Sequence, residues 1–227
     1  MKKLLLAASF KMSVQLFLAG LILTYIFKNP HPFFTALYLG CMIFFTIYRV
    51  LSRHKELNTR FKQIVAGSIC LSGLFTVLYF VFVVIGSRAF PPQYVIPISG
   101  MVMGNTMTGV SLGLKTFLES LKEQRIKIEA LQCAGVSARK ILLPFVTQAL
   151  ETAMLPTINS MLGMGIVSLP GMMTGQILAG TLPTTAILYQ IAIMIAICTT
   201  VTCSCFFSLY LGSKTLYTKA AQTISLP

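Results

Sequence analysis

Long apolar stretches separated by short clusters of charge dominate the chain. A helix needs about 20 mostly apolar residues to cross a bilayer, and the intervals between charge clusters supply such lengths repeatedly. No formal charge occurs from residue 152 to residue 213, which is room for two helices with a turn at 179–183, where Gly and Pro interrupt the run. The pattern predicts six membrane helices, at residues 4–27, 33–50, 64–86, 94–114, 156–179 and 185–212.

Composition places the chain among membrane proteins. Of its 227 residues, 56% are apolar and 10% are charged, and the mean hydropathy is +0.81. A soluble domain carries about 25% charged residues. The expected fold class is therefore all-α: a polytopic transmembrane helical bundle of about six membrane helices, forming a single domain over residues 1–227, with a cytoplasmic helical coupling loop at 115–155.

Lysine and arginine indicate the orientation, because they collect in cytoplasmic loops. If the N-terminus is inside, the outer loops hold only Lys28 and Arg88. The inner segments then hold Lys2, Lys3, Arg49, Arg53, Lys55, Arg60, Lys62, Lys115, Lys122, Arg125, Lys127, Arg139, Lys140, Lys214 and Lys219. This asymmetry predicts a multi-pass membrane protein with both termini in the cytoplasm. The net charge of +13 is spread over short loops beside apolar helices, which favours a lipid bilayer over nucleic acid as the partner.

One segment, 115–155, has the mixed charge of a water-exposed surface. It contains four of the five acidic residues, Glu119, Glu123, Glu129 and Glu151, so a soluble partner is expected to dock here. A first helix is predicted to end at Gly135. An amphipathic second helix follows over 137–155, and it either lies in the membrane interface or begins the fifth span.

Residues EALQCAGVSARKILLP, at 129–144, resemble the EAA signature of ABC-transporter membrane subunits. Glu129, Ala130, Gly135, Leu143 and Pro144 match that signature in order. The resemblance implies a short coupling helix that enters a groove on a separate ATPase subunit and transmits its rigid-body motion.

The chain shows no ATP-binding motif of its own. The stretch GVSLGLKT, at 109–116, has a leucine between the glycine and the lysine that a Walker A loop keeps adjacent. No catalytic Ser-His-Asp set or HExxH motif occurs either. The chain is therefore expected not to be an enzyme and to bind no cofactor itself, with ATP and Mg²⁺ held by the partner ATPase.

Two apolar segments, VIPISGMVMGNTMTGVSLGL and GIVSLPGMMTGQILAG, combine glycines with polar side chains. In hydrocarbon, a broken helix is tolerated only where protein or a water-filled cavity covers its backbone. Tight helix packing and a dimer contact account for the glycines. A substrate pathway accounts also for the amides, and Pro170 and Gly171 would then interrupt the fifth helix so that free carbonyls face the pathway. Its candidate residues are Asn105, Asn159, Ser168, Pro170, Gly171, Met172, Met173, Thr174 and Gln176.

These segments, together with EALQCAG, closely resemble the FetB-type family of ABC permeases, the membrane subunits of bacterial iron exporters with plant relatives in aluminium tolerance. The resemblance covers residues 2–217 and is most specific at SLPGMM. It implies a permease of the inner (cytoplasmic) membrane that pairs with a separate ATPase subunit, forms a homodimer and exports a small substrate, with a metal ion, iron, as the expected cargo.

The chain departs from that family in two places. Members usually carry one more hydrophobic helix before the stretch that matches this N-terminus, so the chain corresponds to a shortened relative or an incomplete start. Members also tend to have an acidic residue and a lysine where Asn159 and Leu162 stand. The loss of both charges argues against iron as the substrate.

Metal ligands cannot be assigned from the sequence. Soft metals accept thiolate and thioether ligands, and one set on offer is Cys198, Cys203 and Cys205, another Met101, Met103, Met107, Met172 and Met173. Apolar packing is the commoner role of both residue types.

A function of another class also fits the polar loop. The chain would then be a non-transporting membrane scaffold or sensor that anchors a soluble enzyme. That alternative gives no reason for the intramembrane Asn, Gln and Pro-Gly.

Overall fold

The structure is a computed structural model that describes residues 2–84, 86 and 91–217. Arg88 and Lys219, two of the charges used to predict the orientation, lie outside the described residues. Those that are described form eight α-helices and no β-strand. This confirms the all-α fold class, a helical membrane bundle.

Six helices in the described part of the chain are long and apolar enough to cross a membrane. These are α1 (Lys2–Lys28), α2 (Pro32–Arg53), α3 (Thr59–Tyr79, continued by a π-helical stretch at Phe80–Val84), α4 (Pro92–Glu123), α6 (Ala138–Gly163) and α8 (Pro183–Ser213, followed by a 3₁₀ turn at Lys214–Leu216). Two short helices, α5 (Arg125–Cys133) and α7 (Gly171–Leu178), connect α4 to α6 and α6 to α8.

Prolines mark the beginnings of α2, α4 and α8. Pro32, Pro92 and Pro183 each lie in the first positions of their helix, where a missing N–H leaves no helical hydrogen bond unmade. At α2 the preceding residue completes the cap, because Nδ1 of His31 accepts a hydrogen bond from the backbone N–H of Phe33 at 3.2 Å.

The centre of the bundle is the pair α4 and α8. Helix α4 packs against α2, α3, α6 and α8, and α8 packs also against α3 and α6. Fully buried side chains at these contacts include Phe61 on α3, Phe117 on α4 and Leu209 on α8. Helix α1 makes few contacts, and an apolar 18-residue stretch within it contains no buried residue, so it faces lipid or a partner.

Small residues let α4 approach α6 and α8 closely. A Cβ atom added at Gly109 would lie 2.6 Å from Cγ1 of Val201, and one at Gly113 would lie 3.1 Å from Cβ of Ala153. A Cβ at Gly104 would meet nothing within 4 Å. The glycine spacing of this helix therefore serves tight packing in its C-terminal half, while Gly104 lies on an open face.

The fourth span is longer than the predicted 94–114. Helix α4 continues to Glu123 because no Gly or Pro follows Gly113, and Phe117 and Leu121 stay fully buried against neighbouring helices. The first part of the predicted loop 115–155 is thus the end of a membrane helix.

The fifth span lies earlier in the chain than the predicted 156–179. A single helix, α6, runs from Ala138 to Gly163 despite Pro144 and Pro156 within it, and residues 164–170 are not helical. Of the two alternatives for 137–155, the structure therefore shows the start of the fifth long helix. The prediction placed this span too late in the chain because it looked for a stretch without charge. Helix α6 instead carries its polar side chains on one exposed face and buries Phe145, Ala149 and Ala153 on the other.

Candidate functional site

Helix α5 lies in the turn between two membrane helices, and the predicted coupling residues Glu129, Ala130 and Gly135 lie in it or just after it. Ile128 is fully buried and fixes α5 against the bundle. On the opposite side Glu129 and Ala130 are exposed. The helix therefore presents one face outward while its other face is fixed to the core.

Gly135 ends α5 through a Schellman motif. Its φ of 77° is in the left-handed region that favours glycine. The N–H of Val136 donates to the carbonyl of Leu131 and the N–H of Gly135 to that of Gln132, each at 3.0 Å. Leu131 and Val136 both pack on the core, as this motif favours. The turn from α5 into α6 is consequently well defined.

The outward face of α5 mixes apolar and charged side chains. Ile126 is 84% exposed, and Ala130 and Cys133 share its side of the helix at spacings of four and seven residues. Glu129 accepts a hydrogen bond from Nε of Arg125 at 2.8 Å, and both side chains are exposed. Ile126 and Cys133 were not among the predicted residues, although their helical spacing from Ala130 was visible in the sequence.

The other two predicted coupling residues are on α6. Leu143, which is 50% exposed, and Pro144 lie about one and a half helical turns after α6 begins, so they do not belong to the α5 face. Nearby, Nη2 of Arg139 donates to Oη of Tyr210 at 3.1 Å. This hydrogen bond joins the beginning of α6 to the end of α8.

The break between α6 and α7 is a closed, hydrogen-bonded loop. Gly165, with φ 82°, donates its N–H to the carbonyl of Ser168 at 2.9 Å, and the N–H groups of Val167 and Ser168 donate to the carbonyl of Gly163 at 2.9 and 3.2 Å. A positive φ at Gly165 costs little only because the residue is glycine.

Pro170 precedes α7 as its N-cap and Gly171 is its first residue. The backbone carbonyl between them is hydrogen-bonded. The carbonyl of Pro170 accepts the N–H of Thr174 at 2.9 Å and its hydroxyl at 3.0 Å. The free carbonyls predicted at this break therefore do not include that of Pro170.

The break also lies beyond the end of a complete span. Helix α6 has 26 residues, which is about 39 Å at 1.5 Å per residue, longer than the roughly 30 Å hydrocarbon core. Residues 164–182 are thus at one end of the bundle, at the opposite end of α6 from α5, and not in the middle of the fifth helix as predicted.

A cavity of about 470 Å³ lies beside this break. It is lined by Met161, Met164, Gly165, Leu169, Pro170, Met173, Ile187, Gln190, Ile191, Met194 and Ile195. Gln190 is 4% exposed and its Nε2 lies 3.8 Å from Sδ of Met164. Its Oε1 is buried without a hydrogen-bond partner in the described structure. The cavity therefore offers four thioethers and one unpaired amide oxygen.

The structure places only some of the predicted pathway residues at this cavity. Pro170 and Met173 line it. The remaining residues of the broken segment, Ser168, Gly171, Met172, Thr174 and Gln176, lie in the same loop or in α7, and Oε1 of Gln176 is buried without a partner in the described residues.

The two predicted asparagines lie elsewhere. Asn105 is on α4 and Asn159 on α6, and both are exposed. Nδ2 of Asn105 donates to the carbonyl of Met101 in its own helix at 2.7 Å. Neither asparagine is among the residues that line the cavity.

The described residues contain no group of three His, Cys, Asp or Glu side chains placed to hold a metal ion. Of the methionines proposed from sequence, only Met173 joins the cavity, and Cys205 is buried on α8. The donors that this cavity offers a metal are thioether atoms and the amide oxygen of Gln190. Gln190 and Met194 were missed, although Gln190 is the only amide in the 31-residue helix α8, a signal of function or of buried pairing in a membrane helix.

Helix α6 carries an exposed polar stripe on one side, interrupted by Leu155, which is 52% exposed. Thr147, Gln148, Glu151 and Asn159 are all exposed on a helix long and apolar enough to span the membrane. Carboxylate and amide groups are unfavourable against lipid. The stripe therefore needs a water-filled cavity or another protein surface.

Comparisons with known proteins match the chain over almost its whole length. The model of a family described as "Uncharacterised protein family (UPF0014)" matches residues 1–217. The chain is 34% identical to the "UPF0014 membrane protein slr1647" of Synechocystis sp., over 88% of this chain and 78% of that protein. It is 32% identical to "Protein ALUMINUM SENSITIVE 3" of Arabidopsis thaliana, over 92% and 76% of the two chains.

The name of a further relative states a function. The chain is 28% identical to the "Probable iron export permease protein FetB" of Escherichia coli, over 93% of this chain and 80% of that protein. No solved structure matches the chain.

Proposed function

The chain belongs to the UPF0014 family of membrane proteins, and from this premise we propose that it is the membrane-spanning subunit of an ABC transporter. It moves a small substrate with energy from ATP that a separate ATPase subunit hydrolyses. The observation that carries the proposal is α5: a short helix between two membrane helices, fixed by buried Ile128 and ended by the left-handed Gly135.

The geometry of α5 suits the transmission of a rigid-body motion from the ATPase to the membrane helices. Its outer face of Ile126, Glu129 and Ala130 is available to a groove on the ATPase. Its Schellman turn leads directly into α6, which is joined to α8 through Arg139 and Tyr210. A displacement of α5 would therefore move two membrane helices as a body. Basic residues cluster at the end of the bundle where α5 lies, which supports a cytoplasmic position for α5. The same charge distribution supports a protein of the inner membrane with both termini in the cytoplasm.

A homodimer gives the polar stripe of α6 a partner. Two copies that face each other through Gln148, Glu151 and Asn159 would enclose a polar passage, and Asn105 and Thr108 form a second exposed polar stripe on α4, which packs beside α6. The transport pathway would then run between copies and open near the broken segment at the far end.

We propose a metal ion as the substrate class. The name of the Escherichia coli relative suggests iron as the ion and export as the direction of transport. The thioethers of Met161, Met164, Met173 and Met194 and the amide oxygen of Gln190 are donors in one cavity. Such a set accepts a borderline or soft cation more readily than a hard one.

Reversing the charge of Glu129 tests the proposed coupling. The variant Glu129→Lys puts a second cation next to Arg125 on the docking face, so we expect the amount of ATPase that co-purifies from native membranes to fall at least about tenfold, equivalent to roughly 1.4 kcal/mol. The measurement is quantitative mass spectrometry of bound soluble proteins together with ATPase activity of the purified complex.

The control is Arg60→Glu, a charge reversal of equal size at the beginning of α3, outside α5. We expect it to retain the ATPase. Loss of the ATPase in both variants would point to general charge effects. An ATPase in neither the wild-type nor the variant samples would contradict the proposal and favour the scaffold alternative.

A further inference from the structure

A second, polar cavity of about 660 Å³ lies between the end of α2 and the latter part of α4. The end of α2 and the segment after it supply Arg53 and Lys55 to one wall, and α4 supplies Lys115 and Lys122 to the other. The residues of α5 and those of the cavity beside α7 are not among its lining. It is therefore a separate site.

This basic cavity is positioned at the boundary between membrane and water. Lys115 lies about 35 Å along α4 from Pro92, just past the roughly 30 Å hydrocarbon core. Met107 and Leu112, which also line the cavity, are closer to the bilayer centre along the same helix. The cavity is thus charged toward water and apolar toward the acyl chains.

Carboxylates neutralise part of its positive charge. Lys115 pairs with Glu119 at 3.8 Å, and Lys122 pairs with Glu56. Both glutamates line the same cavity. Both lysines of the α4 wall are therefore paired with carboxylates.

The positive charges of Arg53 and Lys55 are available to an anion. No ion pair involves either of them in the part of the chain that the structure describes. Burial lowers the pKa of the neighbouring His54, so its imidazole is mostly neutral at pH 7 and adds little charge. The cavity has a net charge of about two positive units at that pH, both from Arg53 and Lys55.

Two polar atoms of the cavity wall have no hydrogen-bond partner in the described residues. They are Oγ of Ser111 and Nε2 of His54, and Ser111 is 9% exposed. Buried polar groups are almost always hydrogen-bonded. The hydroxyl of Ser111 is therefore available to a polar group of a ligand in this cavity.

We infer that this cavity binds the headgroup of an anionic phospholipid, with the phosphate at Arg53 and Lys55, an ester or glycerol oxygen at Ser111, and the acyl chains along Met107 and Leu112. Basic pockets between membrane helices on the cytoplasmic side bind such headgroups. A soluble phosphate would satisfy the charge and the hydroxyl but would leave the apolar wall uncovered. The inference does not depend on the proposed transport function.

Lipid titration of the full-length chain tests the site. The purified, delipidated protein is titrated in mild detergent with phosphatidylglycerol, with phosphatidylcholine of the same acyl chains, and with glycerol phosphate, and bound molecules are counted by native mass spectrometry. Each basic side chain contributes roughly fivefold near an anionic headgroup. We therefore expect phosphatidylglycerol to bind about 25-fold more weakly to Arg53→Gln/Lys55→Gln than to the wild type.

The matched control is Arg49→Gln/Arg60→Gln, which removes two charges from the same end of α2 and α3 outside the cavity and should bind like the wild type. Ser111→Ala removes one hydroxyl with little risk to folding and should weaken binding about fivefold. Equal affinity for both phospholipids, or unchanged binding by Arg53→Gln/Lys55→Gln and Ser111→Ala, would overturn the inference. Glycerol phosphate binding as tightly as the lipid would overturn it too, by making this a site for a soluble anion.

Discussion

Replacing Gly212 with alanine is expected to destabilise the bundle by about 1–3 kcal/mol through overpacking, before any gain in helix propensity. A Cβ atom there would lie 2.5 Å from Cε1 and Cζ of Phe61 and 2.9 Å from its Cδ1. The ring cannot turn away easily, because Phe61 is fully buried and lies 6.4 Å, centroid to centroid, from the ring of Phe117. Either α3 or α8 has to move.

Gly104→Ala is the matched control for this prediction. It makes the same chemical change within a membrane helix where a Cβ atom would meet nothing within 4 Å, so only the gain in helix propensity, up to about 1 kcal/mol, remains. The measurement is the midpoint of reversible unfolding in mixed detergent micelles. Equal midpoints for Gly212→Ala and Gly104→Ala would contradict the close contact of α3 with α8.

The sequence predicted the membrane fold well because bilayer thickness dictates helix length. Counting apolar stretches works for α2, α3 and α8, whose interiors carry almost no charge. It failed at α6, because Lys140 and Glu151 suggested water while the opposite face of the same helix carries buried Phe145 and Ala149. A single exposed polar face is compatible with a membrane helix when another surface covers that face, and only the packed bundle reveals which face is exposed.

The two candidate sites differ in how far the sequence revealed them. The end of α5 depends on local chemistry, since a left-handed residue at Gly135 ends a helix whatever surrounds it. The cavity beside α7 depends on tertiary packing, because Gln190 and Met194 come from α8 and meet Met164 only where α6, α7 and α8 converge. The pattern of helix breakers drew attention to Pro170 and Gly171, while the lining of the cavity is supplied largely by residues outside that motif.

The double variant Gly165→Ala/Pro170→Ala is expected to abolish transport while the protein still assembles in the membrane. Gly165 has φ 82°, and an alanine in the left-handed region costs about 1–2 kcal/mol. Removing Pro170 at the same time lifts the restriction that keeps the preceding residue out of a helix. The loop around 164–170 would then favour joining α6 to α7, which displaces Met164 from Gln190 and closes the cavity.

ATP-dependent accumulation of iron in inside-out vesicles that contain the chain and its ATPase measures the effect, and we expect a loss of at least about tenfold, or roughly 1.4 kcal/mol. The matched control is Gly175→Ala, because a Cβ atom there meets nothing within 4 Å and the φ of Gly175 is not positive. That variant should transport normally. Full transport by Gly165→Ala/Pro170→Ala, with the ATPase bound, would show that the broken segment is no part of the pathway. The polar stripe of α6 would then be the stronger candidate for the pathway. A loss of ATPase binding in the same variant would instead place the defect in assembly, since α5, the proposed contact with the ATPase, lies at the opposite end of α6.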